Sequence, residues 1–264
     1  MLYPTIGSRG ETKPSPWQLE RRYTTIHERI LLMGPPGGGK STQLINTYLA
    51  LKEIGVEMAL IDFEDKLEAM FVGLEIPLPK KFFVCLDWEE YSGAIEKLDM
   101  VKNQWIGVDR IDLSWDMVQR WYSIEKYNKE LSEQMMVKAK AMRKAGMFTP
   151  RFDQGDWQPV NENYATNTLK LIYKSRCNII MTAGIKSADA DSALDVLGSL
   201  GVTNRGQKEL QHQPHSTFLL HQKKRDREIK WYITTGKDLE KRRKFESEEI
   251  FDFFIQYISQ YMRT

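Results

Sequence analysis

Short apolar runs alternate with amphipathic stretches along most of the 264-residue chain. The runs have the length of buried strands, and the stretches between them repeat their apolar residues at helical spacing. The strand-like runs lie at 29–33, 57–64, 81–88, 104–115 (holding one strand), 177–185, 216–224 and 228–235. Strands that alternate with helices form parallel sheets, and the last two runs suit a hairpin. The pattern predicts an α/β fold, a three-layer, mostly parallel sheet with an antiparallel C-terminal hairpin.

The predicted helices lie at 41–54, 92–102, 117–144, 164–175 and 246–262. Prolines and glycines in 146–163 predict a loop there. We therefore divide the chain into a polar N-terminal arm or cap, an α/β core with a helical or loop insertion, and a C-terminal helix. The bounds of these parts are 1–27, 28–245 (insertion at about 115–163) and 246–264.

Composition narrows the class of protein without naming its chemistry. The net charge is only +2, which argues against a uniformly basic protein but leaves room for a basic patch. No apolar run approaches the roughly 18 residues that span a membrane, and the first residues lack the apolar core of a signal peptide. Cys85 and Cys177 lie in strand-like runs, as buried thiols of a reducing compartment do. We expect a cytoplasmic protein (of a host cell, if virus-encoded) that binds no membrane.

The glycine-rich stretch after the first strand carries the clearest chemistry. It fits G-x-x-x-x-G-K-[ST], the Walker A or P-loop motif, in which backbone N–H groups surround phosphates. The Lys reaches the β- and γ-phosphates, the Ser hydroxyl ligates Mg²⁺, and the next residue lies near the α-phosphate. The strand–loop–helix context argues against an accidental glycine-rich turn. The predicted nucleotide-binding residues are Gly34, Pro35, Pro36, Gly37, Gly38, Gly39, Lys40, Ser41 and Thr42.

A P-loop needs a second acidic group for its metal. Asp109, at the end of an apolar strand, is the candidate, with Asp112 as a weaker rival; the alternative is an ordinary turn cap. Arg110 stands where many motors carry their catalytic Glu, so the base must lie elsewhere. The second strand ends in Asp62, Glu64 and Asp65, and a carboxylate there can orient and deprotonate an attacking water, unless the cluster is only a solvated turn.

These motifs together resemble the RecA/RadA recombinase core. "GPPGGGKST" followed by "ALIDFEDKLE" places Glu64 at that family's catalytic Glu, and "WIGVDRIDLSW" places Asp109 at its metal site. "NIIMTAGIK" resembles the strand that leads into the family's DNA-binding loop, with Thr182 nearest its switch residue. "RGQKELQHQPHSTFLL" resembles its G-x-x-x-L-x-H segment, which places His212 as a sensor. The chain is similar to the compact, core-only RecA-like ATPases encoded by bacteriophages, some of which are associated with single-strand annealing or recombination.

The resemblance implies an oligomeric, Mg²⁺-dependent ATP hydrolase that binds single-stranded DNA in recombination, repair or replication. Cations of the edge region would reach the γ-phosphate on a neighbouring subunit of a ring or filament. The candidates for this role in trans are Lys223, Lys224 and Arg225, and Arg225 is preferred for its bidentate guanidinium. The alternative is a charged hairpin that protects a sheet edge.

Basic residues interleaved with aromatic ones suit single-stranded DNA, because cations follow the phosphates and rings stack on bases. The alternative for each is a solvated helix face or surface loop. The candidates are Lys138, Lys140, Arg143, Lys144, Phe148 and Arg151, with Lys186 and Arg205 at the ends of the expected mobile loop.

Three other functions stay open at this point. The first is a phage-type ATP-driven motor or remodelling protein, for example in packaging. The second is a nucleoside-monophosphate-type kinase, since "GPPGGGKSTQ" is similar to such kinases. The third is a regulatory ATP-binding protein with little turnover. Phosphoryl transfer to a nucleoside monophosphate would favour the kinase, and binding without hydrolysis would favour the regulator.

Overall fold

Nine strands and six α-helices are present in the part of the chain that the structure describes. The structure is a computed structural model, and it describes residues 27–101, 104–144, 152–188, 195–225, 228–239 and 243–259, without the side chains of 142–144, 174 and 225. The strands are β1 Arg29–Gly34, β2 Met58–Asp62, β3 Phe82–Val84, β4 Trp105–Asp109, β5 Asn178–Ser187, β6 Val202–Asn204, β7 Ser216–Arg225, β8 Glu228–Asp238 and β9 Glu246–Glu249. The helices are α1 Lys40–Glu53, α2 Leu67–Gly73, α3 Trp88–Lys97, α4 Leu113–Tyr127, α5 Leu131–Lys144 and α6 Gln154–Tyr164.

The sheet runs in the order β3-β2-β4-β5-β1-β7-β8-β9, with β6 paired to the far end of β5. Strands β3, β2, β4, β5, β1 and β7 are parallel, whereas β8 and β9 add in antiparallel fashion. Strand β5 lies between β1, which leads into the P-loop, and β4, which ends at Asp109. This order confirms the predicted three-layer α/β fold, a mostly parallel sheet with antiparallel C-terminal strands.

Each face of the sheet is covered by its own apolar layer. Ile30 and Leu32 of β1 point to one face, where they pack with Leu44 of α1, while Leu31 and Met33 point to the other. The second face is covered by α3, α4, α6 and a π-helical segment, Ala165–Lys174. Parallel strands buried on both faces read as continuous apolar runs, which is why the sequence identified them. No helix among the described residues is long and apolar enough to span a membrane.

The region around 117–163 differs from the predicted single helix and loop. The helix predicted at 117–144 is divided into α4 and α5, because Asn128 adopts a left-handed conformation (φ 49°) that ends α4. The loop predicted at 146–163 contains α6, which starts with a capping box between Asp153 and Asp156. Pro159 lies inside α6 in spite of its missing N–H. The capping box satisfies the first N–H groups of the helix, and this stabilises it in spite of the proline that led to the prediction of a loop.

The C-terminal region also differs from the predicted helix at 246–264. Its first residues form β9, which extends the sheet beside β8, and in the described residues up to 259 the helical part is a π-type turn, Phe254–Ile258. The Gln256 side chain accepts the N–H groups of Phe251 and Asp252, and Gln43 accepts that of Phe253. These long-range bonds fix the turn, and local periodicity does not reveal them.

Buried Asp156 holds α4, α5 and α6 together. Its carboxylate accepts hydrogen bonds from Tyr127 Oη at 2.8 and 2.9 Å, from Tyr122 Oη at 3.2 Å, from Lys126 Nζ at 2.5 Å and from Lys138 Nζ at 3.3 Å. Burial alone would raise the pKa of this carboxyl, but the hydrogen bonds and cations lower it overall. Asp156 is therefore a structural carboxylate that three helices share.

Replacing Asp156 with Ala leaves these donors without their common acceptor. We expect Asp156→Ala to lower the free energy of unfolding by about 1–3 kcal/mol, measured by urea denaturation. The control is Asp99→Ala, which removes an exposed ion pair with Lys81 and costs less than about 1 kcal/mol. Equal effects of the two variants would contradict the role given to Asp156.

Candidate functional site

The loop between β1 and α1 has the backbone of a phosphate cradle. Gly37 and Gly39 adopt positive φ angles of 74° and 86°, and α1 begins at Lys40. Only glycine adopts such angles without strain, and they turn successive N–H groups towards one point. Gly34 is required for another reason: a Cβ atom there would lie 2.3 Å from the carbonyl oxygen of Leu220 on β7. The predicted P-loop residues thus form one turn at the N-terminus of a helix, which favours anions.

The Lys40 side chain lies over this loop. Its Nζ donates to the carbonyl oxygens of Gly34 and Pro35, both at 2.9 Å, and the residue is 8% exposed. Burial and, to a smaller extent, the nearby charge of Arg110 lower the pKa of Lys40. A buried cation with only carbonyl partners is well placed to exchange them for phosphate oxygens.

Asp109 joins the loop to two neighbouring strands. Ser41 Oγ donates to its two carboxylate oxygens at 3.1 and 3.0 Å, and Thr182 Oγ1 of β5 donates to Oδ1 at 2.5 Å. Burial raises the pKa of Asp109, although both hydrogen bonds act in the opposite direction. A hydroxyl and a carboxylate are hard oxygen ligands, and Mg²⁺ in nucleotide sites takes one or two such groups beside phosphates. Ser41 and Asp109 therefore fit the predicted metal role.

The acidic cluster after β2 separates into different roles. Asp62 is fully buried and accepts the backbone N–H groups of Glu64, Lys66 and Leu67 at 2.9, 2.7 and 2.7 Å. It shapes the turn by accepting these three backbone hydrogen bonds. Asp65 is exposed, with a left-handed φ of 53°. Glu64, whose side chain is 22% exposed, remains as the carboxylate of this cluster whose charge acts on Lys40 of the P-loop.

Arg110 connects Glu64 to Asp112. Its Nη1 donates to Glu64 Oε1, while Nε and Nη2 donate to the two oxygens of Asp112 at 2.9 and 3.0 Å. The Asp112 side chain is 1% exposed, and this bidentate contact compensates its buried charge. This pairing argues against Asp112 as the metal ligand. In the sequence, Arg110 stands out only as a departure from the motor pattern. Its ion pairs with Glu64 and Asp112 were not predicted.

Two residues of the C-terminal strands support the P-loop from outside. The indole N–H of Trp231 on β8 donates to Gly37 O at 3.1 Å, and the Gln222 amide on β7 donates to the same oxygen. A Cβ atom on Gly39 would lie 3.1 Å from the Trp231 ring. Sequence reasoning missed both residues, because the long-range pairing of β1 with β7, and of β7 with β8, brings them to the loop.

The predicted switch, sensor and trans-acting residues lie at different distances from this cluster. Thr182 is at its centre, bonded to Asp109 and accepting the Arg110 N–H at 2.8 Å. His212 Nε2 lies 3.8 Å from Asp195 Oδ1, away from the P-loop contacts. Lys223 donates to Ser247 Oγ at 2.6 Å and stacks on Tyr232. Lys224 is exposed near the end of β7, Thr42 is exposed on α1, and the Arg225 side chain lies outside the described residues.

The predicted DNA-binding residues are also dispersed. Lys138 is engaged internally with Asp153 and Asp156 and is 14% exposed at its side chain, so it is a poor phosphate contact. Lys140, Lys186 and Arg205 are exposed. The side chains of Arg143 and Lys144 lie outside the described residues, as do Phe148 and Arg151 altogether.

The chain has no match in sequence among known families and curated proteins, but it is similar to a solved structure. No protein-family model matches the chain, and no curated protein matches it in sequence. A KaiC-like protein from the hyperthermophilic archaeon Pyrococcus horikoshii is a similar solved structure, with a TM-score of 0.45 and 12% identity over 83% of this chain and 84% of that chain. The fold assignment rests on the strand order and the loop geometry described above.

The contact between Trp231 and the P-loop gives a test of nucleotide binding. We expect Mg·ATP to change the intrinsic fluorescence of the protein, because phosphates in the cradle alter the surroundings of this indole. Trp231→Phe should remove most of the change, whereas Trp121→Phe, a matched replacement on α4, should keep it. A change that survives Trp231→Phe and disappears in Trp121→Phe would contradict the assignment.

Proposed function

We propose that this protein is a Mg²⁺-dependent ATPase that binds ATP in the P-loop. The observation that carries the proposal is the joining of Ser41 and Asp109, one from the P-loop helix and one from β4, at 3.0 Å. In this assignment the backbone N–H groups of the loop and Lys40 hold the phosphates, and Ser41 and Asp109 hold Mg²⁺. When bound, Mg²⁺ neutralises charge on the β- and γ-phosphates.

Glu64 is the proposed general base. Asp62 of β2 pairs with Asp109 of β4 in the sheet. Glu64 therefore lies two residues past the position that stands beside the proposed metal ligand. The oxygen of a water attacks the γ-phosphorus, the bond from that phosphorus to the β–γ bridging oxygen breaks, and the water proton passes to the Glu64 carboxylate. The products are ADP and phosphate. The cluster supports this role because Glu64, unlike Asp62, spends none of its oxygens on backbone N–H groups that shape the turn.

Single-stranded DNA is the proposed polymer partner. Strand β5 carries Thr182 at the Asp109 carboxylate and continues four residues further to exposed Lys186. Arg205 lies beside the same strand, where its Nε donates to Ile185 O at 3.1 Å. One strand thus links the metal ligand to two cations that can contact phosphates. DNA bound at this end of β5 would influence the site through Thr182.

Self-association into a ring or filament completes the proposal. The β7–β8 hairpin passes the P-loop of its own subunit at Gln222 and Trp231, and exposed Lys224 lies beyond that contact. In a RecA-like arrangement, Lys223, Lys224 and Arg225 would approach the γ-phosphate of a neighbouring subunit. A monomer would then hydrolyse ATP slowly.

ATP turnover with and without single-stranded DNA tests the catalytic proposal. We expect DNA to stimulate hydrolysis, Lys40→Ala to abolish nucleotide binding, and Glu64→Gln to reduce kcat by about 100-fold or more while ATP still binds. Asp65→Asn, which changes the exposed acid next to the base, is the matched control and should retain activity. Normal turnover by Glu64→Gln would remove Glu64 from the role of base.

The DNA assignment has a separate test. Lys186→Ala combined with Arg205→Ala should weaken binding of single-stranded DNA and reduce its dependence on salt, because fewer phosphate contacts release fewer counterions. Fluorescence anisotropy of a labelled oligonucleotide measures both effects. The control is Lys80→Ala, which removes an exposed cation that pairs with Glu57 near the β3 edge of the sheet. An equal loss in both proteins, or no loss in either, would contradict the assignment.

A further inference from the structure

Arg110 occupies an unusual conformation beside the metal ligand. Its φ is 62°, in the left-handed region that non-glycine residues adopt at a cost of about 1 kcal/mol or more. Its N–H donates to Thr182 Oγ1 at 2.8 Å, and the N–H of Ile111 donates to Thr182 O at 2.9 Å, so β5 holds the turn in place. This backbone directs the guanidinium to the carboxyl ends of β2 and β4, where Glu64 lies.

The guanidinium has one fixed partner and one exchangeable partner. The Asp112 side chain is 1% exposed and is bound through two parallel hydrogen bonds. The Glu64 side chain is 22% exposed, is bound through Nη1 alone, and is shared with Lys66 at 2.9 Å. A buried bidentate pair is harder to break than a single contact at the surface of a cleft. Arg110 can therefore change its partner on the Glu64 side while it keeps Asp112.

The contact with Arg110 leaves Glu64 unsuited to act as a base. An oxygen that accepts a hydrogen bond from a guanidinium is less available to accept a water proton. Arg110 also lies close enough to Lys40 to lower its pKa, which places the guanidinium near the phosphate-binding cation. Phosphate oxygens accept bidentate hydrogen bonds from Arg at least as well as a carboxylate does.

We propose that Arg110 is a γ-phosphate sensor acting in cis, which restrains Glu64 until a nucleoside triphosphate competes for its guanidinium. The inference rests on the proposed ATPase function and adds its regulation. With ATP in the P-loop, Arg110 turns from Glu64 to the γ-phosphate, and the Glu64 carboxylate is released to the attacking water. ADP has no γ-phosphate, so the Arg110–Glu64 contact persists with ADP. The protein thereby links base availability to the identity of the nucleotide.

The ratio of affinities for a non-hydrolysable ATP analogue and for ADP tests this sensor without measuring turnover. In Arg110→Gln, combined with Asp112→Asn so that no buried charge is left unpaired, we expect the analogue to bind about 10-fold more weakly and ADP to bind as in the wild type. In Glu64→Gln, which frees Arg110, the analogue should bind several-fold more tightly. Adding Glu64→Gln to the Arg110 variant should not tighten analogue binding, because Glu64 affects the analogue through its contact with Arg110.

Two further variants serve as controls for this test. Arg110→Lys keeps a cation near Asp112 but loses the planar fork, so an intermediate loss of analogue binding is expected. Arg120→Gln changes an exposed arginine on α4 and should leave both affinities unchanged. Isothermal titration calorimetry measures all of these affinities.

The outcomes separate the sensor from the ATPase. If the wild-type protein binds the analogue and hydrolyses ATP, but the Arg110 variants keep the same analogue-to-ADP ratio, the sensor is overturned and the ATPase stands. If the wild-type protein binds no nucleotide, the proposed function fails and the sensor fails with it. An equal loss of analogue and ADP affinity also overturns the sensor, since it would mark a structural role.

Discussion

The carboxylate of Asp109 is the group on which the arrangement of the site depends. It is buried at the end of β4 and is held by the hydroxyls of Ser41, from the P-loop helix, and Thr182, from β5. These bonds tie the end of β4 to β5 and to the helix that follows β1. Ligands of open α/β sheets bind at that edge, where the loops of several strands converge. Asp109, the P-loop and the strand that leads to Lys186 thus meet at one point.

Around this point, cations and anions alternate at short range. Lys40 lies over the P-loop, Asp109 beside it, and Arg110 bridges Glu64 and buried Asp112. Each charge has a protein partner, so none is buried without compensation. A triphosphate introduces further negative charge, and Lys40 and Arg110 are the groups that can exchange a protein oxygen for a phosphate oxygen. Under the proposed function, the contacts that stabilise the cluster would also make it responsive to nucleotide.

The sequence predicted those features that are encoded by neighbouring residues. The P-loop is contiguous, and the strands on both sides of it are continuous apolar runs, so their positions follow from local chemistry. Features that depend on the three-dimensional course of the chain were missed or misjudged. Asp62 and Glu64 look alike in the sequence, and only the turn geometry makes Asp62 a cap. Lys138 lies in a basic run, but its helix turns it onto Asp156. Trp231 reaches Gly37 across 194 positions of sequence.

The Mg²⁺ dependence of ATP binding tests the central claim, that the Ser41–Asp109 pair is a metal site that serves the P-loop. Calorimetry would compare the wild-type protein with Asp109→Asn, each with Mg²⁺ and with a chelator. We expect Mg²⁺ to tighten ATP binding to the wild type. In Asp109→Asn the affinity for ATP should no longer depend on Mg²⁺ and should equal the metal-free affinity of the wild type. The same Mg²⁺ dependence in both proteins would contradict the account.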